Sequence, residues 1–314
     1  ASVTIISAGQ IEQRRSSRIG DVLGEVPGLY LRNNAQGAHF PSSGQASIAI
    51  RGVPRTTRTL VMIDGQPVKK IIVVNADDGA AERFLHPKVD EKWTFCHECT
   101  SHACSFTERG FQAQAIEATP QGTTLQVAGV RISLKLLGEF NAYNALAALT
   151  VGASQGIAVP MLARALEGFS GLPGRMEEVP NRRGIRIFVD YAHEPASLEA
   201  VYKTVRSFHP GRIISVLGSQ GGGRDKVKRP VLGKLAAQYT DHVIVTNEDP
   251  YDEDPGVIVN EVATGAASVN PNKVEKILDR GQALRRALEV AGSGDIVIVT
   301  GKGGETKMAV SVGK

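Results

Sequence analysis

Seven polar side chains, Asp190, His193, Arg224, Asp225, Lys226, Asp249 and Glu305, each stand a short way past an apolar run. The runs are IRIFV, RIISVL, HVIVT and DIVIV, and a loop carrying Gly or Pro follows each. In an open α/β sheet such loops share the edge at the strand C-termini, where ligands bind. The loop GSQGGGRDKVKR (218–229) adds backbone N–H groups unobstructed by side chains, with Arg224, Lys226, Lys228 and Arg229 beside them. That combination suits a phosphate. It is not a Walker A loop, because G-x-x-x-x-G-K-[ST] is absent from all 314 residues, and Lys302 in TGKGGET also fails the pattern.

The elements that must position these residues are legible. Strand, loop and helix recur from GIRIFVDYAHEPASLEAV onward, four units in a row, which predicts a mainly parallel sheet with helices on both faces. Upstream, KKIIVVNADD reads as a strand with a polar end, and TTLQVAGVRISLKL as a hairpin turning near Gly129. GEFNAYNALAALTVGASQGI predicts a helix ending at Gly156, followed by a second one stopping at Gly171 and a Pro173-Gly174 turn. Asn141 and Asn144 lie one turn apart, so Asn141 is expected to cap the helix and Asn144 to be solvated. Arg175 and Glu177 suit an exposed salt bridge. In CHECTSHACSF, Cys96, Cys99, His102 and Cys104 form a possible tetrahedral zinc set. A structural zinc usually joins two separated ligand pairs, so unmetallated loop thiols are the expectation and no metal site is assigned.

Residues 1–68 have another style. VTIIS reads as a strand and 11–26 as a helix stopped by Pro27-Gly28. LYLR and ASIAIRG read as strands, and TLVMIDGQPV as a strand with an Asp64-Gly65 hairpin signal. This small α+β segment holds no nucleophile–base pair, which points to binding or structure rather than catalysis.

The chain is long enough for two or three domains. Hydrophobic content of 42% and charged content of 22% are those of an ordinary globular protein. A net charge of +4 without a dense basic run is a weak argument for anionic ligands and no argument for nucleic acid. No apolar stretch is long enough for a membrane helix, and ASVTIISAGQ lacks the features of a signal peptide.

Two resemblances attach to these motifs. VTIIS, IGDVLGEVPGLYLRN, SIAIRGVP and RTLVMIDGQPV are similar to the first half of the plug domain of TonB-dependent outer-membrane receptors. No serial alternating strands of a barrel follow, so receptor function is not expected. From residue 69 onward, NADD, LLGEFNAYNALAAL, GLPGRMEEV, IFVDYAHEPASLEAV, LGSQGGGRDKVKRP, TNEDPYDEDP, ILDR and GDIVIVTGKGGE resemble the Mur ligases of peptidoglycan synthesis. Among them the similarity is greatest to the enzyme adding the third residue to UDP-MurNAc-L-Ala-D-Glu. The chain therefore reads as a chimera: 1–68 plug-like, 69–178 the C-terminal part of a Mur central ATPase domain, and 179–314 a Rossmann-like α/β C-terminal domain.

The resemblance implies ATP-dependent amide formation through an acyl phosphate, with ATP and magnesium as cofactors, in the cytoplasm. The plug-like part alone would suggest the outer membrane or periplasm. By position, Asn141 and Asn144 would lie by the adenine, Arg175 near the nucleotide, and Asp190 and His193 along the ATP side of the cleft. Arg224, Asp225 and Lys226 would reach the ribose and phosphates, His193 and Lys226 acting in catalysis. Glu248, Asp249 and Tyr251 align with the amino-acid-selecting Asp-Asn-Pro-Arg motif, and Glu305 with the acid that holds the incoming amino acid. The motif here reads Glu-Asp-Pro-Tyr, and Gly304 replaces a usual His. Loss of the Arg shifts the expected substrate from diaminopimelate toward lysine, whose ammonium would meet Asp249 or Glu305. The P-loop, the magnesium ligands and a UDP-binding domain are absent from these residues, so the chain by itself is expected to be inactive. The competing expectation is a non-catalytic module that binds a nucleotide or a protein.

Overall fold

The computed structural model describes residues 29–32, 47–50, 62–63, 66–67, 69–98 and 109–310. The chain divides into two compact units, 1–70 and 71–314. In the first, β1 (Leu29–Arg32) pairs antiparallel with β2 (Ser47–Ile50). β3 (Met62–Ile63) pairs antiparallel with β4 (Gln66–Pro67); the Asp64-Gly65 turn signal between them lies outside the described residues. The strand expected over 3–7 and the helix over 11–26 lie outside the described residues.

The second unit contains two sheets. The first has the order β5-β6-β7-β8-β9, formed by β5 (Ile71–Asn75), β6 (Glu91–Cys96), β7 (Gly110–Thr119), β8 (Gly122–Val127) and β9 (Val130–Leu134). β5, β6 and β7 run parallel, and β7, β8 and β9 antiparallel. A short helix, α1 (Ala81–Leu85), follows β5. The β8–β9 hairpin turns through Ala128 (φ 51°) and Gly129 (φ 74°), the left-handed pair that matches strand twist. α2 (Glu139–Ser154) buries Ala142, Ala145, Leu146 and Leu149 against Leu125, Ile132 and Leu134 of this sheet. α3 (Val159–Gly168) adds Ala163 to the same core and ends before Gly171.

The other sheet has the order β10-β11-β15-β12-β13-β14. β10 (Glu177–Glu178) is antiparallel; β11 (Arg186–Val189), β12 (Ile213–Leu217), β13 (His242–Val245), β14 (Val274–Lys276) and β15 (Ile296–Val299) are parallel. The connecting helices are α4 (Pro195–Arg206), α5 (Lys228–Tyr239), α6 (Pro255–Ala267) and α7 (Arg280–Val290). Period-2 alternation divides the strands between two cores. Ile213, Leu217, Val243 and Ile298 face α4, α5 and α6, while Ile214, Val216, Ile244 and Val297 face Ala283 and Ala287 of α7. Three crossovers in one direction put three helices on one face, and the return to β15 puts α7 on the other. This is the mixed α/β architecture with a parallel sheet that the repeated units predict.

Candidate ligand cleft at the strand ends

Parallel register brings Val189, Val216 and Val299 level, with Leu217 beside Val245. Residues 190–194, 218–227, 246–254 and 300–305 therefore leave the sheet at one edge. Glu248 reaches beneath that edge. A Cβ on Gly301 would stand 2.0 Å from its Oε2, and Gly301 has φ +88°, so only glycine leaves this space open. Glu248 is 0% exposed and neither carboxylate oxygen has a hydrogen-bond partner among the described residues. Burial raises its pKa from 4.5 to about 7, against the opposing pull of Arg280. Arg280 donates to the carbonyls of Asn247 and Thr300, tying together the loops after β13 and β15.

The sequence-predicted residues meet different fates. Both Asp249 oxygens accept from Lys302 Nζ, at 2.9 and 3.0 Å, and Oδ1 also accepts the Ala309 N–H at 2.8 Å. The Arg224 guanidinium lies over the Tyr251 ring at 5.6 Å, with Nη2 3.3 Å from the phenol oxygen. Tyr251 itself adopts φ +52° and donates its N–H to Ala309. Glu305 accepts the Gly303 N–H at 2.7 Å. Asp225 caps its own turn by accepting the Val227 N–H.

The phosphate expectation for the glycine-rich loop needs correction at two of its four cations. Arg229 is completely buried and bonds Glu253, Glu261 and the Gln220 carbonyl. Lys228 is buried against Glu194 at 2.5 Å. A buried guanidinium or ammonium must be paired, and these pairs join α5 to its neighbours rather than face the cleft. Lys226 pairs with Glu253 at 3.0 Å, and its hydrogen bond leads in holding that carboxyl down to about 2.

Asp190 is also less open than a nucleotide contact requires. It is buried, and its oxygens accept the N–H groups of Met176 and Ala192, at 2.8 and 2.7 Å. Burial raises its pKa and these two hydrogen bonds oppose the rise. His193 Nδ1 lies 2.8 Å from the Tyr191 carbonyl, its ring edge-on to Tyr191 at 4.8 Å. Arg175 stacks on the same tyrosine at 4.5 Å. The expected Arg175–Glu177 salt bridge is replaced by this stack, while Glu177 accepts the Gly174 N–H. Asn141 is not a cap: the helix starts at Glu139, and the Asn141 amide donates to the Leu137 carbonyl. Asn144 donates to Asn141 Oδ1, so the two amides form one unit as their spacing allows. A cleft of about 600 Å³ opens beside Asn141, lined by Gln121, Lys135, Asn141, Arg175 and Glu177 among others.

Of the cysteine cluster, Cys96 is buried, and burial with the nearby Asp77 pushes its thiol pKa up. Cys99, His102 and Cys104 lie outside the described residues. Sequence reasoning missed Lys302 and Arg280. Both sit in motifs quoted above, TGKGGE and ILDR, but nothing local distinguishes a cation aimed inward from a solvated one.

Comparison with known proteins bears on the family and the fold. A family model for the Mur ligase middle domain matches residues 59–152, and one for the Mur ligase glutamate ligase domain matches 174–303. A TonB-dependent receptor plug domain model matches 1–87, overlapping the middle-domain match. A UDP-N-acetylmuramoyl-L-alanyl-D-glutamate–2,6-diaminopimelate ligase of Bacillus cereus is 35% identical over 242 residues, covering 76% of this chain and 47% of that protein. A UDP-N-acetylmuramyl-tripeptide synthetase of Roseiflexus is 39% identical over 246 residues, with 76% and 47% covered. Among solved structures, MurF from Acinetobacter baumannii superposes with a TM-score of 0.57 at 17% identity, over 73% of this chain and 48% of that one. A folylpolyglutamate synthase from Mycobacterium tuberculosis gives 0.54 at 19% identity, over 71% and 55%; both likenesses concern the fold. The chain spans about half the length of the curated relatives it matches. Residues 59–152 and 174–303 are thus Mur ligase middle-domain and C-terminal-domain sequence, joined to a plug-family match over 1–87.

Proposed function

We propose that residues 69–314 form the nucleotide- and amino-acid-handling part of a ligase that extends UDP-MurNAc-L-Ala-D-Glu by one amino acid. The observation that carries this reading is the meeting, at one sheet edge, of the Glu248–Tyr251 motif, Arg224 and the 301–305 loop. In such a reaction ATP converts the substrate carboxylate to an acyl phosphate, which the amine of the incoming amino acid attacks as phosphate leaves.

The cleft beside Asn141 and the sheet edge each have a task in that scheme. The cleft beside Asn141 and Arg175 has the volume and amide hydrogen-bonding groups for a purine. Glu305 offers a carboxylate to the incoming amine, and Arg224 places a guanidinium, positioned by Tyr251, beside the same ligand. Among the described residues no group of three acidic, histidine or cysteine donors fits a metal, so no step is assigned to magnesium. G-x-x-x-x-G-K-[ST], the loop pattern that cradles phosphates in P-loop enzymes, does not occur in these residues. Elements of that kind each contribute roughly 10²–10³ in rate.

The expected outcome is binding without turnover. Phosphate release from ATP, with UDP-MurNAc-dipeptide and an amino acid present, should stay at background for this chain. Glu305→Ala should weaken amino-acid binding about tenfold in calorimetry, the cost of losing one charged hydrogen bond. Unchanged binding in that variant would remove the assignment of the site.

A further inference from the structure

We infer that Lys302 is an internal stand-in for a substrate ammonium, so that the amino-acid end of the cleft disfavours a ligand whose only distal charge is an ammonium. The inference rests on the ligase reading above and names the class of amino acid that its site accepts. Replacement of Asn by Asp249 in the selecting motif looks at first like the creation of an ammonium site. The geometry points the other way. Lys302 Nζ contacts both oxygens of Asp249, and the Ala309 N–H takes a third acceptor position. A carboxylate offers about four such positions. The two side chains are only 9% and 13% exposed, so water does not compete for the pair.

The segment that carries the lysine is itself fastened to the motif. Tyr251 donates to the Ala309 carbonyl at 3.0 Å and forms a parallel bridge with Val310. The Asn247 amide approaches the Met308 sulfur at 3.5 Å. An incoming ammonium would have to displace a covalently tethered one, exchanging like for like and stranding Lys302 beside the ligand. Glu248, the other acid of the motif, is wholly buried and offers the ligand no carboxylate. A neutral or anionic distal group meets no such competition.

Calorimetry on the intact 314-residue chain tests this with L-lysine and its uncharged isostere L-norleucine. The wild-type chain is expected to bind lysine no more tightly than norleucine. Lys302→Met should bare Asp249 and create a preference for lysine of about tenfold, the worth of one charged hydrogen bond. Combining it with Asp249→Asn should return the two ligands to parity. A wild-type preference for lysine that Asp249→Asn abolishes overturns the inference and leaves the ligase reading standing, as does a Lys302→Met chain with no preference. Absence of binding by every amino acid to every folded variant overturns both. Should Lys302→Met fail to fold, Asp249→Asn decides alone: it frees the Lys302 ammonium and should raise L-glutamate affinity about tenfold, and an unchanged affinity overturns the inference.

Discussion

Glu248 places a proton-binding group where water cannot reach it. In the unfolded chain its pKa is about 4.5, while in the fold burial raises it to about 7. Between those values the native state holds a proton that the unfolded state has released, so stability falls as pH rises through the window. A gap of that size corresponds to about 3 kcal/mol. Urea midpoints measured from pH 5 to pH 8 should therefore decline for the wild-type chain, and Glu248→Gln should flatten the decline. An equal slope in both would mean that another group titrates. The neighbouring Asp249 is paired with Lys302, and a buried ion pair broken on one side strands a charge. Asp249→Asn should destabilise the chain by about 3 kcal/mol, measured in the same way.

The elements owe their positions to close backbone contact as much as to apolar area. α5 and α6 meet through two glycines: a Cβ on Gly233 would stand 1.9 Å from the Val262 carbonyl oxygen, and one on Gly265 1.9 Å from that of Pro230. Neither obstacle is a flexible side chain, so Gly233→Ala must push the helices apart. A loss of about 3 kcal/mol is expected from chemical denaturation, at the upper end for overpacking. The strands β11, β12, β13 and β15 were legible as apolar runs because each is covered on both faces. The stretch 271–290 carried no such signal. β14 is an edge strand of three residues, Val-Glu-Lys, and α7 buries only two alanines among charged neighbours. Edges and thinly covered helices need little apolar sequence, so little of it marks them.

At the scale of the molecule, the two compact units part at 70/71, close to where the plug-like vocabulary ends in the sequence. The division 1–68, 69–178 and 179–314 remains our proposal for the domains. Within the second unit, the Arg186 guanidinium donates to the Pro120 carbonyl, and Leu137 and Phe140 enter the core of the six-stranded sheet. Residues 71–314 expressed alone should accordingly melt in one cooperative transition, within a few degrees of the corresponding transition of the whole chain. Two separated transitions in calorimetry would show that the two sheets of this unit unfold independently. No helix among the described residues is long and apolar enough to cross a membrane.

By itself the sequence determined the parallel α/β plan, the edge at which the polar loops gather and the family that shares those motifs. Each of these follows from local spacing: apolar runs make strands, glycines and prolines end them, and a right-handed crossover leaves few ways to connect them. Tertiary structure alone decided which charges face a ligand. Lys228 finds Glu194, 34 residues away, Arg229 finds Glu261, and Lys302 finds Asp249 across 53 residues. Two of the four cations expected at a phosphate are internal, and the acid expected at a substrate ammonium already holds one. An ion pair forms only where distance and desolvation allow it, and both are set by segments distant in sequence that the sheet brings together.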